Sequence, residues 1–266
     1  DNGYGIPPEE LPMAVTRHAT SKLMALTDLE AISSFGFRGE ALPSIASVSR
    51  LTVHSACAAD DGSPLDGAFV QVDFGEMGSQ GPCAQTRGTR IEVRDLFSNV
   101  PARLKFLKTP ATETRRCQDI FFRIALANLD VAFTFSSGGR EIHRMPQGQD
   151  LRSRLGASWP PQITQGLIAF KQEMDGYGAH GLAGPPSTAQ GRANRILLYV
   201  NGRPVSDRTL SAAIREAYRG KLLSREHPQV VLFLSTPDQE VDVNVHPAKT
   251  EVRFRNEKLV FSLVRR

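Results

Sequence analysis

The sequence opens Asp1-Asn2-Gly3-Tyr4-Gly5-Ile6, a carboxylate followed by glycines at alternate positions. A carboxylate accepts hydrogen bonds, for instance from the exocyclic amine of a purine, and glycines let the backbone approach a flat ring closely. The same residues also make an ordinary surface Asx turn, and taken alone they leave both readings open. A second candidate is Phe35-Gly36-Phe37-Arg38-Gly39-Glu40-Ala41-Leu42, where two glycines, an aromatic residue and a cation precede an expected helix start. That combination suits phosphate oxygens held on backbone N–H groups, or a purely structural helix entry. The third is Lys249 in His246-Pro247-Ala248-Lys249, either a phosphate ligand or a solvated turn lysine.

Composition bounds what these residues can belong to. With 266 residues, two domains of ordinary size are expected, and 40% hydrophobic content is ample for their cores. The 32 Lys+Arg against 28 Asp+Glu give +4, a balance that permits a polyanionic partner without requiring one. Cys57, Cys83 and Cys117 form no CxxC, and the six histidines never pair at ligand spacing, so neither a disulfide framework nor a zinc site is expected. No apolar run reaches the roughly 18 residues of a membrane span, and a cytoplasmic setting follows as the expectation.

The elements that must position the candidates can be read from periodicity. Pro7-Pro8-Glu9-Glu10 starts a helix that continues through Leu11, Val15 and His18. A second helix is expected from about Glu40, with Leu42, Ile45 and Val48 on one face. Alternation predicts strands at Leu51–Val53, Val70–Phe74 and Arg90–Val93, with loops over Asp60–Pro64 and Gly75–Gly88. Thr112–Asn128 reads as a long helix burying Ile120, Phe121, Ile124 and Leu126 or their neighbours, followed by a hairpin through Ser137-Gly138-Gly139. The turn chemistry of Met145–Asp150 puts a domain boundary there, giving domains over 1–145 and 151–266. Beyond it, Ile196–Val200 runs into the hairpin dipeptide Asn201-Gly202, and a helix spans about Asp207–Tyr218, burying Leu210, Ile214 and Ala217. Val230–Leu234 is a buried strand, Val241, Val243 and Val245 alternate with polar residues, as do Val252 and Phe254, and a helix starts at Asn256.

Taken together and in order, DNGYGI, HATSK (His18 to Lys22), GFRGEALPSIASVS (Gly36 to Ser49), GTRIEVRDLF (Gly88 to Phe97), NVPARLKFL (Asn99 to Leu107), VNGRPV (Val200 to Val205) and VDVNVHPAKTEVRF (Val241 to Phe254) resemble the ATPase region of the MutL family of DNA mismatch-repair proteins. The resemblance implies an α+β chain: an N-terminally truncated Bergerat-type (GHKL) ATPase sandwich, then a ribosomal-protein-like β-α-β domain. It puts Asp1 on the adenine amine with Gly3 and Gly5 shaping that wall, and Thr89 in the floor of the same pocket. His18, Thr20, Ser21 and Lys22 fall in the lid, Gly36, Phe37, Arg38, Gly39 and Glu40 around the phosphates, and Lys249 on the terminal phosphate. The family's general-base Glu and its Mg²⁺-holding Asn belong to a helix preceding the Asp-x-Gly-x-Gly turn, so no catalytic base or metal ligand is expected within this stretch, which alone should not turn over ATP. For Arg103 and Lys105, pairing with carboxylates, facing DNA and a solvated structural role all stay open. Leu104 and Ser206 stand where bacterial relatives carry basic residues, which weakens an assignment of DNA contacts to the hairpin at Asn201-Gly202.

The implied function is a mismatch-repair mediator in which ATP, with Mg²⁺, drives dimer closure. The implied partners are DNA bound weakly and without sequence preference, the mismatch-recognition protein MutS, a downstream endonuclease and helicase, and a second copy of the complete protein, in a nucleoid-associated bacterial setting. A type II topoisomerase ATPase subunit and a nucleotide-independent scaffold are the alternatives.

Overall fold

The computed structural model describes residues 1–17, 19, 39–59, 65–243, 245 and 250–266. The chain packs as two compact units, Asp1–Thr109 and Pro110–Arg266.

In the first unit a 3-10 turn, Pro8–Glu10, leads into α1 (Leu11–Ala14), with Glu9 and Glu10 in its first turn where the helix dipole favours anions. A second short helix, α2, spans Ala41–Ala46. The strands β1 (Arg50–Ala56), β2 (Gly67–Asp73), β3 (Glu76–Cys83) and β4 (Gly88–Arg94) form an antiparallel sheet in the order β3-β2-β1-β4. Leu51 and Val53, on the same face as Val70 and Val72 by register, pack with Leu11, Val15 and Ala46 into one core. A short helix, α3 (Pro101–Leu104), follows the sheet.

Three expectations are corrected here. The segment read as a loop after Gly75 forms β3: Glu-Met-Gly-Ser-Gln-Gly-Pro-Cys has no apolar alternation because it is an edge strand, mostly exposed, held by its ladder to β2 through a bulge. Phe74, expected to end the preceding strand, adopts φ 51° and with Gly75 at φ 95° turns the chain instead. In α2 the buried residues are Pro43 and Ala46, and Ile45 is 37% exposed, because six residues are too few to sustain the stripe that the spacing suggested.

The second unit begins with α4 (Pro110–Ala127), followed by the hairpin β5 (Phe133–Ser137) and β6 (Arg140–Met145). Two short helices, α5 (Leu151–Leu155) and α6 (Pro161–Gly166), precede β7 (Ile168–Met174) and β8 (Tyr177–Ala183). Then come β9 (Ile196–Val200), β10 (Arg203–Val205), α7 (Arg208–Ala217), β11 (Val230–Ser235), β12 (Val241–Asp242), β13 (Arg253–Phe254) and α8 (Glu257–Arg265). The main sheet runs β10-β9-β11-β8-β7, with β9 and β11 parallel. Both of its faces are covered, which is why β9 and β11 read as unbroken apolar runs. Leu198, Val200, Leu232 and Leu234 pack with α7 and α8, while Leu197, Tyr199 and Val231 pack with α4, α5 and Trp159. Asn201 and Gly202 both have positive φ, 46° and 75°, as a tight hairpin of this kind requires.

The compact units divide at Thr109/Pro110, ahead of the Met145–Asp150 turn where composition places a boundary. The reason is Arg154, buried completely, whose guanidinium donates to the carbonyls of Ala125, Asn128, Leu129, Val131 and Pro146 at 2.5–3.2 Å. It ties the end of α4 and the turn after β6 to α5. On α4, Leu126 is buried as expected, and the rest of the buried face shifts to the neighbours Phe122 and Ala125, with Ile120 61% and Ile124 43% exposed. In α7, Leu210 and Ile214 are buried as expected, with Ala213 taking the place assigned to Ala217.

Candidate functional site

The Asp1 turn is built against β4. One carboxylate oxygen, Oδ1, accepts from the Gly3 N–H at 2.9 Å and from the Thr89 N–H at 3.2 Å. In return the Asp1 nitrogen donates to the Thr89 carbonyl at 2.9 Å. The structure therefore brings Asp1, Gly3 and Thr89 together across 88 positions of sequence. Asp1 is exposed and Thr89 half-buried, so the carboxylate is pinned through one oxygen while facing solvent.

Gly5 lies tight against β1. Its φ is 82°, and a Cβ there would run into the Ala56 carbonyl at the end of β1. Only a residue without a side chain lets the turn lie this close to the strand.

Residues that sequence reasoning did not select hold the arrangement in place. Gly88, at φ 118°, lies where a Cβ would overlap the Asp1 carbonyl. Ser55, buried on β1, accepts from the Ile6 N–H at 2.8 Å and donates to the Gly88 carbonyl at 3.1 Å. Arg87 donates through Nε to the Gly3 carbonyl at 3.1 Å, and its guanidinium lies 5.9 Å from the centre of the Tyr4 ring. Gly88 sits inside a recognisable motif and could have been found. Ser55 and Arg87 act through backbone contacts to a turn 49 and 84 positions away, and they leave no local pattern.

Of the remaining candidates, Gly39 has φ 59° and packs against the Ala19 carbonyl, and Glu40 is the residue from which α2 starts. His18, Thr20, Ser21, Lys22, Gly36, Phe37, Arg38 and Lys249 lie outside the described residues.

The neighbouring charges are already engaged. Glu92 on β4 lies between Arg94 and Arg90, at 2.9 and 2.5 Å, and the hydrogen bond from Arg94, with both positive charges, holds its carboxyl below the usual range. A general base working near neutrality needs the opposite shift. Among the described residues no group of three or more His, Cys, Asp or Glu could hold a metal ion. The hairpin at Asn201 is occupied with its own architecture: the amide donates to the Thr236 carbonyl at 3.0 Å and to Asp238 at 3.1 Å, and accepts from the Thr236 N–H at 2.9 Å. A groove of about 830 Å³ in the second unit, lined by Arg123, Ser206, Arg215, Tyr218 and Leu223 among others, gathers none of the described nucleotide-site candidates. No helix among the described residues is long and apolar enough to cross a membrane.

Residues 157–266 match the family model described as DNA mismatch repair protein, C-terminal domain. A DNA mismatch repair protein MutL from Rhizorhabdus wittichii is 42% identical over 264 residues, covering 99% of this chain and 43% of the relative. The MutL of Xylella fastidiosa strain M23 is 44% identical over 273 residues, covering 100% of this chain and 42% of the relative. The chain thus spans a little over two-fifths of the length of the curated relatives it matches.

Among solved structures, an N-terminal domain of a DNA repair protein superposes with a TM-score of 0.78 at 26% identity, covering 100% of this chain and 81% of that one. The Aquifex aeolicus MutL ATPase domain complexed with ADP gives 0.62 at 25%, covering 99% and 82%. The ATPase domain of Thermus thermophilus gyrase B, at 0.50 and 14% identity over 100% of this chain and 72% of that one, shares the fold alone. Relatives and fold agree along the whole chain, which is similar over its full length to DNA mismatch repair proteins of the MutL family.

Proposed function

We propose that this chain carries the adenine-nucleotide site of an ATP-driven mismatch-repair protein, in which ATP binding and hydrolysis by the complete protein drive dimer closure and couple mismatch recognition to downstream repair. The observation that carries it is the Asp1 carboxylate, fixed through Oδ1 by the Gly3 and Thr89 N–H groups and facing solvent beside Gly5. An acceptor held in this way suits an exocyclic amine, and a neighbouring MutL ATPase domain is known with ADP bound. Identity of 42–44% to MutL proteins favours this family's function over that of gyrase, for which only the fold is shared at 14%.

None of the described carboxylates is assigned the activation of water, and none is assigned to Mg²⁺, since no fitting set of side chains is gathered among them. Lys249 is the proposed contact of the terminal phosphate, with Thr20, Ser21, Lys22 and Gly36 to Glu40 around the lid and phosphates. DNA, MutS, the endonuclease and helicase of repair and a second copy are the proposed partners, in the cytoplasm.

Calorimetry of the full-length protein with a non-hydrolysable ATP analogue and with ADP tests the proposal. Both should bind, and Lys249→Ala should weaken the analogue by about 10-fold while leaving ADP nearly unchanged, as expected of a single cation near a terminal phosphate. Absence of binding by either nucleotide would favour a nucleotide-independent scaffold. Equal losses for both on Lys249→Ala would remove Lys249 from the site.

A further inference from the structure

Ser55 joins three separate stretches of the first unit through one hydroxyl. It is 1% exposed. Its oxygen accepts from the Ile6 N–H at 2.8 Å, donates to the Gly88 carbonyl at 3.1 Å and lies 2.9 Å from Thr89 Oγ1. A hydroxyl has one proton and two lone pairs. The Ile6 N–H can only donate and the Gly88 carbonyl can only accept, so those two contacts use the Ser55 proton and one lone pair. What remains for Thr89 is a lone pair, and the Thr89 hydroxyl must give its proton to Ser55. Thr89 Oγ1 then has lone pairs alone to offer a ligand, beside a carboxylate that also only accepts.

We propose that Ser55 is a specificity-determining residue of the nucleotide site: by taking the Thr89 proton it makes the floor acceptor-only, so that a 6-amino purine is accepted and a 6-oxo purine rejected. The inference rests on the adenine-nucleotide reading of the site. A 6-amino group brings two N–H donors to this floor. A 6-oxo group brings lone pairs against lone pairs, and a polar group left unpaired in a site weakens binding more than a good pair strengthens it. Without Ser55 the Thr89 hydroxyl is free to rotate and donate to the oxo group, and discrimination falls.

The experiment measures dissociation constants of ADP and of inosine diphosphate, which carries a 6-oxo group in place of the amine, for the full-length protein and for Ser55→Ala, Ser55→Thr and Thr89→Val. Wild type should prefer ADP. Ser55→Ala should narrow that preference by about 10-fold, the scale of one hydrogen bond. Ser55→Thr, which keeps a hydroxyl, should retain the preference, and Thr89→Val should narrow it as Ser55→Ala does. Equal weakening of both nucleotides by Ser55→Ala, with the ratio intact, would make Ser55 a packing residue and overturn the proposal while leaving the adenine reading standing. Binding of neither nucleotide by wild type would overturn both. Should Ser55→Ala fail to fold, an unchanged ratio in Thr89→Val would be decisive against it.

Discussion

At the scale of single residues, the site is a small set of hydrogen bonds whose directions are forced by chemistry. Asp1, Gly3 and Gly5 are candidates from their own alternate spacing and Thr89 only from the resemblance of its motif, and the structure places Asp1, Gly3 and Thr89 in direct contact. Ser55, Arg87 and Gly88 were not selected, because their work is to fit a distant piece of backbone. Gly88 offers a prediction at this scale. With φ at 118° and the Asp1 carbonyl where a Cβ would stand, Gly88→Ala should destabilise the fold by more than about 1 kcal/mol. It should also displace Asp1 and weaken ADP by at least about 10-fold. Chemical denaturation and an ADP titration on the same variant check this, and unchanged values in both would show that the turn can move away from β4 without consequence.

At the scale of elements, what periodicity could not supply was any segment held by its neighbours instead of by its own pattern. The edge strand β3 is held by its ladder to β2, and α4 keeps Leu126 buried but shifts the rest of its buried face to Phe122 and Ala125 because its partners are Trp159, Leu167 and Tyr199 in the second unit. By contrast, β9, β11, α7 and α8 were legible because their apolar residues match a period and their starts carry caps: Asp207 accepts from the Leu210 N–H and Asn256 from the Leu259 N–H.

Arg154 is the clearest case of a residue that defines a unit without a sequence signal. Arg154→Lys keeps the charge but loses the planar fork of donors, leaving buried carbonyls unpaired, and should cost roughly 3 kcal/mol in denaturant unfolding. A cost under about 1 kcal/mol would mean that water or backbone movement replaces those bonds.

The cap of α5 gives a pH-dependent prediction. Asp150 accepts from the Ser153 N–H at 2.7 Å, and that hydrogen bond holds its carboxyl below the ordinary value of 3.8. A depressed carboxyl stabilises the fold above its unfolded pKa, and the contribution fades as pH falls through the folded one. Asp150→Ala should therefore cost about 1 kcal/mol at neutral pH and progressively less in acid. A cost that stays constant down to low pH would contradict the cap.

At the scale of the whole molecule, the two units differ in what they hold. The first contains the pinned carboxylate, and the second contains a sheet covered on both faces and the whole of the family-model match. The net charge of +4 overstates what is available to a polyanion, since Arg152 and Arg154 are spent on backbone carbonyls. DNA binding by the full-length protein should be weak and salt-sensitive, with each neutralised phosphate adding about 0.9 to the log–log slope. A flat salt dependence would remove the electrostatic interaction.

The central claim is that Asp1 acts as the acceptor for an exocyclic amine, and Asp1→Asn tests it most directly, because Asn keeps an oxygen for the Gly3 and Thr89 N–H groups while presenting a donor where the ligand needs an acceptor. Titration of ADP into the full-length Asp1→Asn protein, alongside its thermal midpoint, should show affinity reduced by about 10- to 100-fold with the midpoint unchanged. ADP bound as tightly by Asp1→Asn as by wild type would contradict the account.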